Sequence, residues 1–284
     1  MMPRLFVFAY TEEAAPYTQY FSPKHLFQIK NIQCSYSEEH QSYILVTGSG
    51  SIHISVALSI FFEKFSHLKN NIVCFNIGIA GSYKRPLHQI FYASKISNYH
   101  NEKTFYPDIF VKHPSAELIS IEFPADKKIM SAYPNAMFDM EGFAFAHTLK
   151  FFVHNHQIHC IKFISDNDGV IKDIDETMAA YHSKTNEVLA LTDHITKIIN
   201  DFFHLSSGYA ENKSYATEIE NIANNLPLTQ SQKYQFKKAA LFFLKNHHLS
   251  DLHKVLSDYS LHSVMSKRER NRAFQSILKT LYNV

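Results

Sequence analysis

Six short apolar runs constrain this chain more than any other feature: RLFVFAY (4–10), SYILVTGSG (42–50), NIVCFNIGIAGS (71–82), HQIFYASKISN (88–98), LISIEF (118–123) and IHCIKFISD (158–166). Each has strand length, and most are too continuously apolar for a strand with one face in water. Between them lie segments with apolar residues at helical spacing. These are SIHISVALSIFFEKF (51–65), MEGFAFAHTLKFF (140–152) and one long helix, ETMAAYHSKTNEVLALTDHITKIINDFF (176–203). TEEAAPYTQYF takes on helical or loop character after the first run, with Thr11 as its N-cap. Short buried strands alternating with helices predict an α/β fold whose largely parallel sheet is covered on both faces. In such sheets ligands bind at the carboxyl ends of strands. Four of the runs lead into TEE, TGSG, NIGIAGS and SDNDG, so polar and glycine residues collect at that edge.

Glycine is scarce, with 7 in 284 residues, where average usage gives about 20. Its positions therefore carry information. Gly48, Gly50, Gly78 and Gly81 close apolar runs, where a backbone needs an unusual turn or a close approach to a neighbour. Cys74 and Cys160 lie inside apolar runs and read as small core residues. With Cys34 they form no disulfide framework, which suits a reducing compartment. The 18 histidines are scattered, and no H-E-x-x-H or paired Cys/His spacing occurs, so neither a metal nor an organic cofactor is expected. The net charge of +2 gives no global attraction to nucleic acid or anionic membrane. No apolar stretch reaches about 18 residues, and the N-terminus lacks a signal-peptide pattern. The expected location is the cytoplasm.

The character changes near residue 205. SSGYAENKSYATE is polar and reads as a linker, and three helical signals follow. They begin with a T-x-x-Q box at Thr229 and Gln232, a cap at Ser250, and an S-x-x-E box at Ser266 and Glu269. Two domains are expected: 1–204, and a helical extension over 205–284.

Four segments of the first domain, taken in order, resemble the superfamily of purine nucleoside phosphorylases and methylthioadenosine–adenosylhomocysteine nucleosidases. TGSGSIHISVAL resembles its first glycine-rich turn and helix, and FNIGIAGS its N-x-G-x-A-G strand end. FDMEGFAFAH resembles the V-D-M-E-G/A helix start, and FISDNDG the I-S-D strand end. The resemblance implies a three-layer α/β/α sandwich around a mixed, mostly parallel twisted sheet, with the helical extension as an appendage. It also implies roles. Glu141 would accept hydrogen bonds from the ribose hydroxyls, as an acceptor-only carboxylate suits, with Met140 packed under the sugar. Asp166, held by Ser165, would be the acid that protonates the purine as the glycosidic bond breaks, with Asp168 the alternative in the same loop. Glu13, in preference to Glu12, would activate water. Gly48, Gly50, Ala80 and Gly81 would let backbone amides approach the ligand. Phe138, with Phe143 and Phe145, would offer rings to a base, although aromatics at that spacing are more often core. Each acid also has a plain structural reading, as a helix-cap or first-turn carboxylate.

The chain departs from the phosphorylase pattern, for neither a G-D-P-x-R start nor an R-x-G-T turn is present. Arg85 is the nearest basic candidate and reads as a loop residue. Water is therefore the expected nucleophile, and phosphate the alternative. The G-I-A-G turn resembles that of futalosine hydrolases, which leaves methylthioadenosine-, adenosylhomocysteine- and futalosine-like substrates all open. The resemblance also implies a homodimer or higher homo-oligomer. A third reading, from another class, is a nucleoside-sensing module whose tail binds a partner or nucleic acid through KRERNR (267–272). A charged first turn on a solvated helix is the commoner meaning of such a run.

Overall fold

A computed structural model of the chain describes residues 2–208, 213–244, 247–257 and 267–282. It forms two compact units, Met1–Ile199 and Asn200–Val284.

In chain order the first unit contains β1 (Arg4–Phe8), α1 (Thr11–Phe21), β2 (Lys24–Ile29), β3 (Ile32–Ser37), β4 (Ser42–Val46), α2 (Ser51–Lys64) and β5 (Val73–Gly81). There follow β6 (Ile90–Asn98), β7 (Thr104–Phe105), β8 (Ser115–Ser120), α3 (Lys127–Ala132), β9 (Met137–Asp139), α4 (Gly142–Leu149) and β10 (Ile158–Asp166). The unit closes with α5 (Ile174–Ser183) and most of α6 (Thr185–Gly208).

All the strands belong to one mixed sheet. Among the described residues five pairings are parallel and five antiparallel. Part of the antiparallel share comes from the β2–β3 hairpin and its return to β4, which the apolar-run pattern missed because β2 is largely exposed. Strands β5, β10, β6, β8 and β9 pair in succession and close back on β5, so half the sheet is a ring.

Strand β1 shows why the sheet is covered twice. Its Leu5 and Val7 join one apolar cluster with Ile54, Leu58 and Phe61 of α2 and Phe145 of α4. Its Phe6 and Phe8 point the other way, against Tyr17 and Phe21 of α1. All five residues of β1 are buried, and each of the apolar side chains Leu5, Phe6, Val7 and Phe8 is worth roughly 1.5–3 kcal/mol.

Several expectations shift in detail. The N-cap of α1 is Tyr10, and Thr11 is the first helical residue. The long helix expected over 176–203 is two, α5 and α6, separated at Lys184. The strand expected at 118–123 is Ser115–Ser120, because its last residues turn away after pairing with β9. Helix α4 begins at Gly142, leaving Met140 and Glu141 as its lead-in.

The second unit contains α7 (Lys213–Asn225), α8 (Gln230–Phe243), α9 (Leu249–Ser257) and α10 (Lys267–Tyr282) around a core that includes Ile219, Phe236, Leu252, Phe274 and Leu281. The stretch expected as a linker is helical on both sides, since α6 runs to Gly208 and α7 starts at Lys213. The capping box at Thr229 and Gln232 is present, with Thr229 N donating to Gln232 Oε1 at 3.0 Å and Gln232 N to Thr229 Oγ1 at 3.3 Å. Ser250 lies inside α9, and the cap there is made by Asp251, which accepts from the His248 amide at 2.9 Å. Ser266 lies outside the described residues.

Candidate active site

The carboxyl ends of β1, β4, β5 and β10 carry most of the groups that the sequence singled out. Glu13 is the third residue of α1 and is 4% exposed. Its Oε2 accepts from the amides of Ala9 (3.1 Å) and Tyr10 (3.2 Å), and its Oε1 accepts from the amide of Ile79 on β5 (3.0 Å). The bond to Tyr10 is the reach-back half of a capping box, so Glu13 starts the helix as well as joining the two strand ends. Room for it comes from Gly78, where an added Cβ would lie 2.6 Å from Glu13 Oε1. Burial raises the Glu13 carboxyl to about 7, against the pull of the Ile79 amide and of Lys162. Glu12 is exposed, its carboxylate accepting from the neighbouring Thr11 hydroxyl at 3.1 Å and its carbonyl lying 3.0 Å from His182 Nε2.

Glu141 is 7% exposed and is held from the TGSG turn. Ser49 Oγ donates to its Oε1 at 2.8 Å and Gly50 N at 2.6 Å. Its carboxyl is raised, first by burial and then by Asp139. Met140 is half-buried beside it, with Sδ 3.9 Å from Ser49 Oγ. The turn needs its glycines, with φ of +83° at Gly48 and +99° at Gly50. Their amides do not stand open, because Gly48 N donates to the Ala9 carbonyl and Gly50 N to Glu141. What the turn offers is its shape, and its grip on Glu141.

Asp166 closes β10. The register between β10 and β5 shifts between Ile164 and Asp166, leaving Ser165 as the extra residue of a bulge, a device that re-aims a side chain at a strand end. The Asp166 carboxylate lies against Gly81, whose added Cβ would be 3.1 Å from both oxygens. The Ser165 hydroxyl is 2.9 Å from Asp166 Oδ2 and 3.3 Å from the Ala80 carbonyl, and Gly169 N donates to Oδ1 at 2.7 Å. Ala80 is buried in the β5–β10 ladder. Phe138, opposite Gly81 on β9, is buried in a small cluster with Met130 and Ile121. Phe143 and Phe145 belong to the main core.

Sequence reasoning missed Lys162 and Asp139. Lys162 stands on β10 four residues before Asp166, and its Nζ lies 2.9 Å from Asp139 Oδ2, with the two side chains 3% and 1% exposed. Burial pulls the ammonium down, but Asp139 first, then Cys160, Glu141 and Glu13, outweigh it and the net displacement is upward. The signal was a lysine inside the apolar run IHCIKFISD, since lysine is almost never fully buried unless paired. Among the described residues no group of three His, Cys, Asp or Glu side chains is placed to hold a metal ion. No described helix is long and apolar enough to cross a membrane.

No protein-family model and no curated protein sequence matches the chain. Solved structures do. The 5′-methylthioadenosine/S-adenosylhomocysteine nucleosidase of Neisseria meningitidis, in complex with methylthio-immucillin-A, superposes with a TM-score of 0.57 over 69% of this chain and 99% of that one, at 13% identity. The Helicobacter pylori nucleosidase with 5′-methylthioadenosine in its active site gives 0.56 at 15% identity, over 68% and 99%. The chain shares its fold with these structures. The Campylobacter jejuni nucleosidase gives 0.54 at 18% identity, again over 68% and 99%. At such identities the likeness is one of fold, so the chemistry rests on this chain's own residues.

Proposed function

We propose that the chain is a nucleosidase that hydrolyses the N-glycosidic bond of a purine-type nucleoside. The observation that carries the reading is Glu13. Its carboxylate is buried at the meeting of two strand ends, held by three amides, given space by a glycine, and beside Glu141. A carboxyl raised to about 7 is matched to general-base work near neutral pH.

In this reading Glu141 accepts from the ribose hydroxyls while Met140 lies under the sugar. Glu13 takes a proton from water as the oxygen bonds to the anomeric carbon. The bond from that carbon to the base nitrogen breaks through an oxocarbenium-like transition state, the logic shared by glycoside hydrolases with paired carboxylates. Asp166 protonates the departing base, which leaves poorly as an anion. General acid catalysis of this kind is worth about 10²–10⁴-fold. The products are free base and ribose, or its 5′-substituted form. Two observations support water over phosphate. The Arg85 side chain is engaged with the Asn135 carbonyl (2.9 Å) and lies over the Phe91 ring, and the Lys162 charge is matched by Asp139.

The test is chromatographic detection of free base from methylthioadenosine, adenosylhomocysteine, inosine, adenosine and futalosine, with and without phosphate. Base release in phosphate-free buffer, lost in both Asp166→Asn and Glu13→Gln, is the expected result. Release that needs phosphate sinks hydrolysis and favours phosphorolysis. Release that survives in Glu13→Gln removes Glu13 as the base.

A further inference from the structure

The Lys162–Asp139 pair needs a reason. Removing two charges from water costs several kcal/mol each, and a well-packed apolar pair often holds a core as well or better. Here the geometry is complete. Asp139 Oδ1 accepts from Ser120 Oγ at 2.6 Å, and Oδ2 accepts from the Gly142 amide at 2.8 Å as well as from Lys162. Ser120 Oγ in turn accepts from the Phe143 amide at 2.8 Å. Asp139 and Ser120 therefore hold the first two amides of α4, and Glu141 is the residue just before them. Two residues such as Leu and Met could fill this space, but they would leave those amides and the neighbouring carboxylates without their counter-groups.

The neighbours make the case. Glu13 from α1, Glu141 from the α4 lead-in and Asp139 from β9 are three buried carboxyl groups whose charges act on one buried ammonium on β10, with Asp139 in direct contact at 2.9 Å. The other titratable groups that face Glu13 are Tyr17 of α1 and Tyr181 of α5. Tyr181 Oη donates to the Glu13 carbonyl at 3.2 Å. Neither tyrosine carries a positive charge to offset the carboxylates. We infer that Lys162 and Asp139 act as one positioning unit for the candidate site. Asp139 fixes the turn that presents Glu141, and the Lys162 ammonium supplies the charge that lets Glu13 and Glu141 stand side by side as carboxylates. The inference deepens the nucleosidase reading and rests on it. It makes neither residue a reacting group.

The experiment compares kcat/KM against pH for the wild type and three variants of the full chain. Lys162→Met/Asp139→Asn removes both charges at nearly constant volume. It is expected to remain folded, to lose at least about 10-fold in kcat/KM, and to move the acid limb of the profile to higher pH. Lys162→Arg keeps the charge and is expected to keep the position of the limb. Asp139→Asn alone frees the ammonium to act on Glu13 and is expected to move the limb to lower pH, a signed effect that survives if the double variant fails to fold. A double variant with wild-type kcat/KM and a wild-type limb, or an Asp139→Asn limb that stays in place, overturns the proposal in favour of simple packing. The Glu13 carboxyl carbon resonance, assigned with Glu13→Gln, gives the same titrations without turnover. An enzyme that releases no base yet shows these shifts sinks the hydrolase reading and keeps the positioning unit.

Discussion

Glu13→Gln should change how the first unit's stability depends on pH. Glu13 has a folded-state pKa of about 7 against an ordinary value of 4.5. Between those values the folded chain holds a proton that the unfolded chain has released. Folding then takes up a proton, and stability falls as pH rises. At about 1.4 kcal/mol per unit, the fall attributable to Glu13 is about 3 kcal/mol, absent below pH 4.5 and complete once pH has passed 7. Glutamine never ionises, so the variant escapes it. Glutamine also has one acceptor oxygen where three amides now converge, and a stranded buried amide costs about 1–3 kcal/mol at every pH. The variant should therefore be the less stable protein at pH 4.5, and the deficit should close or reverse by pH 8. Urea unfolding read by pulsed hydrogen exchange on peptides from β1 and β5 follows the first unit alone. A deficit that stays constant from pH 4.5 to 8 would refute the reasoning, because it would mean that Glu13 titrates as it does in water.

Glu141→Gln should lower kcat/KM for a ribonucleoside by about 10- to 100-fold, the equivalent of about 1.5–3 kcal/mol for a hydrogen bond to a charged group. The 2′-deoxy analogue should lose much less, and equal losses on both would detach Glu141 from the sugar. Gly78→Ala places a Cβ 2.6 Å from Glu13 Oε1 and should cost about 1–3 kcal/mol through overpacking, with a displaced base and a fall in base release. A variant as stable and as active as the wild type would show that the Glu13 carboxylate has slack.

The carboxylates were legible because they follow directly on apolar runs. Asp166 ends IHCIKFISD, and Glu12 and Glu13 come just after RLFVFAY, so strand ends pointed to Asp166 and to that pair, while the family resemblance chose Glu13 over Glu12. Roles for Glu141 and Met140 came from the order of four motifs, not from periodicity. What stayed hidden was whatever depends on pairing between distant strands. The ring needs β9, three residues long, to meet both β5 and β8, and no local pattern reports a pairing of one residue with one residue. Lys162 was overlooked because its partner Asp139 belongs to a different strand. Helix edges were misjudged where a side chain two or three residues away sets the cap, as Asp251 does at α9.

The ring also sets a timetable for synthesis. Ser165 and Ala80 meet across the β5–β10 ladder although 85 residues separate them. A nascent chain ending before β10 has β5 and the Glu13 cradle but no Asp166, and its β5 and β6 edges lack their partner. Such distant pairing is slow to form, and an unpaired strand edge templates association with other chains. Once β10 arrives, the same event covers those edges and brings Asp166 to Gly81.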